Sequence, residues 1–116
     1  MMLVEDFYTV IDRQEDGEAT VFTVALNPSC KVYEGHFPGE PVAPGVCNIQ
    51  MLKECAELVA GKPLTLRAIS QCRMTKLITP KECPTLQVQV QLDGEKLTGS
   101  ILHCEEVCLT IKGEAV

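Results

Sequence analysis

Residues 33–45, Tyr-Glu-Gly-His-Phe-Pro-Gly-Glu-Pro-Val-Ala-Pro-Gly, hold three prolines and three glycines in thirteen positions. Each proline fixes φ and removes a backbone donor, so neither a helix nor a central strand can run through this stretch. The chain must cross it as a constrained loop. Directly afterwards the pattern turns helical, and a helix is expected over residues 46–60. Ile49, Leu52, Ala56, Val59 and Ala60 fall on one apolar arc, and Met51, Cys55 and Leu58 widen it. Lys53 and Glu57 form an i,i+4 pair away from that arc, and Gly61 with Lys62-Pro63 ends the helix. So broad an apolar face needs cover on several sides, which predicts a helix wrapped by sheet.

The rest of the chain supplies the sheet. Residues 7–11 and 19–26 read as two strands separated by the turn signal Glu15-Asp16-Gly17-Glu18. Both sides of the second run are largely apolar, so it should be buried. Residues 64–72 form a third strand that an irregularity separates from residues 74–78. Leu86, Val88, Val90 and Leu92 alternate with Gln87, Gln89 and Gln91, the pattern of one buried and one wetted face. Asp93-Gly94 marks a hairpin leading to residues 97–104, and a last strand covers residues 107–112. One helix and about six strands in a single domain of 116 residues make an α+β class.

Charge and cysteine content narrow the function. Ten Lys/Arg against sixteen Asp/Glu give −6, a balance that argues against nucleic acid as a partner. No apolar run reaches the ~20 residues that a bilayer crossing needs. The first residues carry early acids and no basic leader, so a cytoplasmic location is expected. Seven cysteines form no Cys-x-x-Cys pair and have no zinc-like spacing with His36 or His103. They are expected to be free thiols packed as small hydrophobes, with no metal. His103 reads as structural, and so does Cys47.

The segment Gly35-His36-Phe37-Pro38-Gly39-Glu40-Pro41-Val42-Ala43-Pro44-Gly45-Val46 closely resembles the active-site loop of the β-hydroxyacyl-acyl-carrier-protein dehydratases, which have the hot-dog fold. Val10-Ile11-Asp12-Arg13 and residues 72–80 are similar to two further regions of that family. The resemblance implies one long helix wrapped by a curved antiparallel sheet. It also implies a homodimer whose sheets join, with each active site built from both chains. His36 then takes the C2 proton, a task that suits an imidazole titrating near neutrality. The Gly45 N–H, at the helix entry where unpaired amides meet the positive end of the dipole, holds the thioester oxygen. Phe37 and Val46 line the substrate beside it. No cofactor is implied, because the phosphopantetheine arm arrives with the substrate.

One position departs from the family. Fourteen residues after the histidine the dehydratases carry an acid, whereas this chain has Gln50. Four residues later, where the family usually has Gln, it has Glu54. An amide can orient a hydroxyl but has no proton to give it. Residues four apart share a helix face, so Glu54 could serve the same channel about 6 Å deeper as the general acid. In the bland alternative, Glu54 is a solvated or paired helix residue and Gln50 positions water or the hydroxyl. Between Lys62 and Lys81 stand five basic residues and no acid. Arg73 and Lys76 match the family's docking residues for the acidic carrier protein. Beside dehydration of a 3-hydroxyacyl carrier-protein thioester, two alternatives remain. One is a thioesterase on the same fold; the other is a non-catalytic acyl-binding subunit that works beside an active paralogue.

Overall fold

Six strands and one helix follow in the order β1 (Tyr8–Asp16), β2 (Ala19–Leu26), α1 (Gly45–Ala60), β3 (Leu66–Met74), β4 (Thr85–Asp93), β5 (Lys96–His103) and β6 (Glu106–Ala115). This computed structural model describes residues 7–27, 45–76, 78–79 and 84–116, with Gly45 and Val46 described by backbone alone. His36 and Phe37 lie outside the described residues. The strands form one antiparallel sheet ordered β1-β2-β4-β5-β6-β3. The expected α+β architecture is therefore present, with α1 inserted between the second and third strands and lying against β4 and β5.

Period-2 patterning explains the centre of the sheet. Phe22, Val24, Leu86, Val88, Val90, Leu97, Ile101, Leu109 and Ile111 are all buried, and they form one core with Met51, Leu52, Cys55 and Ala56 of α1. Gly99 is part of that fit. A Cβ there would come within 2.8 Å of the Leu52 side chain, so the bare backbone of β5 lets the helix settle onto the sheet. At the other end of α1, Gly61 adopts φ 71° and its N–H donates to the Glu57 carbonyl at 2.8 Å, closing the helix as expected.

Four boundaries differ from the sequence reading. The expected third strand, residues 64–72 with an irregularity before 74–78, is instead continuous over Leu66–Met74 with its register shifts inside it, and it ends where the Thr75 and Lys76 N–H groups both turn to the Cys108 carbonyl. The first strand continues beyond Ile11 to Asp16, although residues 11–16 are exposed and mostly charged. Backbone pairing to β2 carries it, and a bulge at Ile11 turns that side chain out to 57% exposure. Cys104 belongs to a turn rather than to β5. Cys104 and Glu105 have φ of 50° and 67°, the signature of a tight hairpin built without glycine. The last strand runs past Lys112 through Gly113 to Ala115. Among the described residues, Cys47, Cys55 and Cys108 are buried free thiols as expected, whereas Cys72 and Cys104 are exposed.

Candidate active site on the helix

The buried face of α1 is not the purely apolar arc read from the sequence. Leu58, assigned to that arc, is 50% exposed, while Asn48 and Glu54 are buried at 0% and 4% exposure. Hydropathy misplaced the face because the helix turns two polar residues inward. Burying a carboxylate is costly unless hydrogen bonds replace its water. Glu54 has them. The Tyr8 hydroxyl donates to its Oε1 at 2.9 Å, and the Gln50 amide Nε2 donates to its Oε2 at 3.0 Å. The structure thus brings Gln50 and Glu54 together one helical turn apart, with Glu54 deep and Gln50 part-exposed.

Tyr8 is the residue that sequence reasoning missed. It opens β1, pairs with Leu26 of β2, and is 1% exposed. The ring of Phe7 meets it edge-on, with centroids 6.5 Å apart and planes at 77°. Burial above all, then the neighbouring Cys55 sulfur and the carboxyl of Glu54, raise its phenol far beyond the ordinary range. Tyr8 therefore stays a hydrogen-bond donor. Cys55 is fully buried beside the pair, and burial followed by the proximity of Glu54 pushes its thiol up to about 12, with Tyr8 pulling slightly back. It is a neutral thiol at physiological pH. A buried tyrosine hydroxyl always needs a partner, and that requirement was the available signal.

Gly45 is the first residue of α1. Its turn has backbone N–H groups with no acceptor inside the helix, and no acidic side chain in that turn neutralises the positive end of the dipole. Asn48, in the same turn, is wholly buried, and its amide finds no hydrogen-bond partner among the described residues. An uncompensated buried amide costs about 1–3 kcal/mol. Asn48→Leu, which keeps the branching and removes the polar atoms, is expected to stabilise the fold by about 1 kcal/mol in urea denaturation. An unchanged or lower midpoint would mean that the amide is satisfied in solution.

The expected docking residues lie at the end of β3. Arg73 is exposed and pairs with no acid among the described residues, whereas Lys76 pairs with Glu106 at 3.1 Å. The helix pair Lys53–Glu57 is present at 3.7 Å, and Glu57 also accepts the Leu64 N–H at 2.8 Å. His103 sits at the end of β5 with Nε2 3.6 Å from the Cys104 sulfur. Among the described residues no cluster of three His, Cys, Asp or Glu could hold a metal ion, and no helix is long and apolar enough to cross a membrane.

The chain is similar to known dehydratases in sequence and in fold. The family model described as ApeI-like, ApeI dehydratase, matches residues 12–112. The 3-hydroxyacyl-[acyl-carrier-protein] dehydratase FabZ of Lactiplantibacillus plantarum is 31% identical over 117 residues, covering 90% of this chain and 78% of that protein. FabZ of Lactobacillus helveticus is 28% identical over 106 residues, covering 85% and 70%. Among solved structures, the dehydratase heterocomplex ApeI:P from Xenorhabdus doucetiae superposes with a TM-score of 0.77 at 20% identity, covering 91% of this chain and 95% of that one. The dehydratase domain from the CurJ module of curacin polyketide synthase gives 0.68 at 13% identity, covering 92% and 41%. At such identities these two likenesses speak for the fold, which is the hot-dog arrangement.

Proposed function

This chain belongs to the ApeI-like dehydratase family, and from that premise we propose that it removes water from a 3-hydroxyacyl thioester carried on acyl carrier protein. The product is the trans-2-enoyl thioester. In the proposed step His36 takes the C2 proton, the electrons of that bond form the C2–C3 double bond, and the C3–O bond breaks. Glu54 gives its proton to the departing hydroxyl, which leaves as water, and Gln50 orients that hydroxyl. The Gly45 N–H at the positive end of α1 holds the negative charge that builds on the thioester oxygen. These roles need an acid, a base and an oxyanion donor, and no cofactor beyond the pantetheine arm of the substrate.

The observation that carries this reading is the burial of Glu54 at 4% exposure, hydrogen-bonded to Gln50 at 3.0 Å. A solvated surface carboxylate would be neither, and a paired helix carboxylate, the other half of the bland alternative, is separated from an acid by the turnover of Glu54→Gln. The test is incubation with a short 3-hydroxyacyl carrier protein followed by mass spectrometry. Loss of one water is the expected result. Loss of the acyl group with a free thiol left behind would overturn it in favour of a thioesterase.

A cytoplasmic homodimer completes the proposal, with His36 of one protomer facing Gln50 and Glu54 of the other. What supports a joint through β3 is its chemistry as an edge. Among the described residues it pairs only with β6, is exposed over nearly its whole length, and shows Ile69 and Met74 at 45% and 41% exposure. β1, the other edge, is guarded by charge in the manner of strands that must not pair. A second reading, a non-catalytic subunit beside an active paralogue, draws on the same network. Both Glu54 oxygens are already engaged within the chain, and the ApeI:P neighbour is itself a heterocomplex. Binding of the acylated carrier without turnover would favour it.

Docking of the acidic carrier is proposed to use Arg73 and Lys76. Because Lys76 must exchange its exposed partner Glu106, Arg73 is the more available of the two. Reversing both to glutamate is expected to weaken carrier affinity about tenfold at low salt, with the difference shrinking as salt is added. Titration calorimetry that finds equal affinities would remove these residues from the docking surface.

A further inference from the structure

We infer that Tyr8 is a positioning residue for the acid, which makes the two oxygens of Glu54 inequivalent and directs its proton to Oε2. The inference rests on the reading of Glu54 as the acid. With its ring held by Phe7, its backbone paired to Leu26 and its one O–H donor given to Glu54, Tyr8 has no donor left for a substrate. It acts through the carboxyl. Its hydroxyl donates to Oε1 at 2.9 Å, so that oxygen is committed as an acceptor. The proton of the acid then goes to Oε2, whose partner, the part-exposed Gln50 amide, donates to it at 3.0 Å but can turn over to present its oxygen as the acceptor.

The same bond does more as the reaction proceeds. The Oε2–H bond breaks as its proton joins the leaving hydroxyl, and negative charge appears on the carboxyl. A hydrogen bond to a charged acceptor is roughly twice as strong as one to a neutral acceptor. Tyr8 therefore stabilises the transition state more than the ground state, and its contribution belongs in kcat rather than KM. His36 retains the C2 proton, and both groups return to their starting states by exchange with solvent.

The experiment compares Tyr8→Phe, Glu54→Gln and the double variant in the intact protein, acting on a 3-hydroxyacyl carrier protein. Tyr8→Phe is expected to lower kcat about tenfold to hundredfold with KM little changed, and to lower the melting temperature by roughly 5–15 °C because Glu54 Oε1 stays buried without its donor. Added to Glu54→Gln it should cost nothing further, because the charge it serves is gone. If the Tyr8→Phe loss is as large in the Glu54→Gln background as alone, or is absent while Glu54→Gln is crippled, Tyr8 is not a positioning residue and the acid assignment survives. If Glu54→Gln keeps full turnover, the acid assignment itself falls. Should Tyr8→Phe not fold, 3-fluorotyrosine at position 8 keeps the volume and sharpens the donor. A changed kcat at constant KM supports the inference, and an unchanged kcat overturns it.

Discussion

Replacing Glu54 with glutamine is expected to lower turnover by at least about a hundredfold, the range in which a positioned general acid contributes. The substitution is nearly isosteric, and its surroundings can accommodate it. The Tyr8 hydroxyl, now 2.9 Å from Glu54 Oε1, can donate to an amide oxygen as readily as to a carboxylate. On the other side, the Gln50 amide need only turn over to accept rather than donate. The packing around position 54 and its hydrogen bonds survive, so the stability cost should stay within about 1 kcal/mol. The loss would then be chemical rather than structural. Steady-state kinetics with a carrier-bound substrate and a thermal melt of the same sample separate the two. The reciprocal double variant, Gln50→Glu with Glu54→Gln, restores the order the family resemblance implies and should recover part of the lost activity, short of the parent because a misplacement of even about 1 Å can cost a hundredfold. Full activity in the single variant would make Glu54 a structural carboxylate.

The sequence carried the helix, its glycine stop and the buried central strands, because each is written as a side-chain pattern. Leu86, Val88 and Val90 alternate with glutamines, and burial follows the alternation. It did not carry features that depend on backbone contacts. The first strand is expected to end at Ile11 before the turn signal at residues 15–18, yet residues 12–16 pair with β2 through hydrogen bonds that no side chain announces. The Cys104-Glu105 turn lacks the glycine or asparagine that usually marks one. The Gln50–Glu54 pair was legible because it departs from the family resemblance, and spacing then placed the two on one face, since i and i+4 must share it. Tyr8 was not, because it comes from a strand 46 residues away and only the folded sheet brings it to the helix. His36 and Phe37, where the sequence signal is strongest, lie outside the described residues.

The same blindness to backbone approach makes Gly113 the most sensitive position of the sheet. The last strand is expected to end at Lys112, yet β6 passes through Gly113, paired to Ile69 on one side and Leu97 on the other. A Cβ added there would collide with the Ala68 carbonyl oxygen and lie 3.2 Å from the Ile69 Cα. The obstacle is main chain, held between two register shifts of β3, at Leu66/Ala68 and Ile69/Gln71. No rotamer change can relieve it. Gly113→Ala must therefore push β3 outward by roughly 1 Å, an overpacking that costs about 1–3 kcal/mol. For a domain of this size that corresponds to a drop of roughly 5–15 °C in melting temperature. Gly99→Ala is the internal control, because the atom it meets at 2.8 Å is the end of the Leu52 side chain, which can rotate away more cheaply. The two variants should rank in that order in a thermal melt. Displacing β3 also disturbs the edge through which the dimer is proposed to form, so sedimentation should show the Gly113 variant dissociating at concentrations where the Gly99 variant stays paired. If both variants melt alike and the Gly113 variant remains dimeric, β3 is neither so tightly seated on β6 nor the strand at which two copies meet.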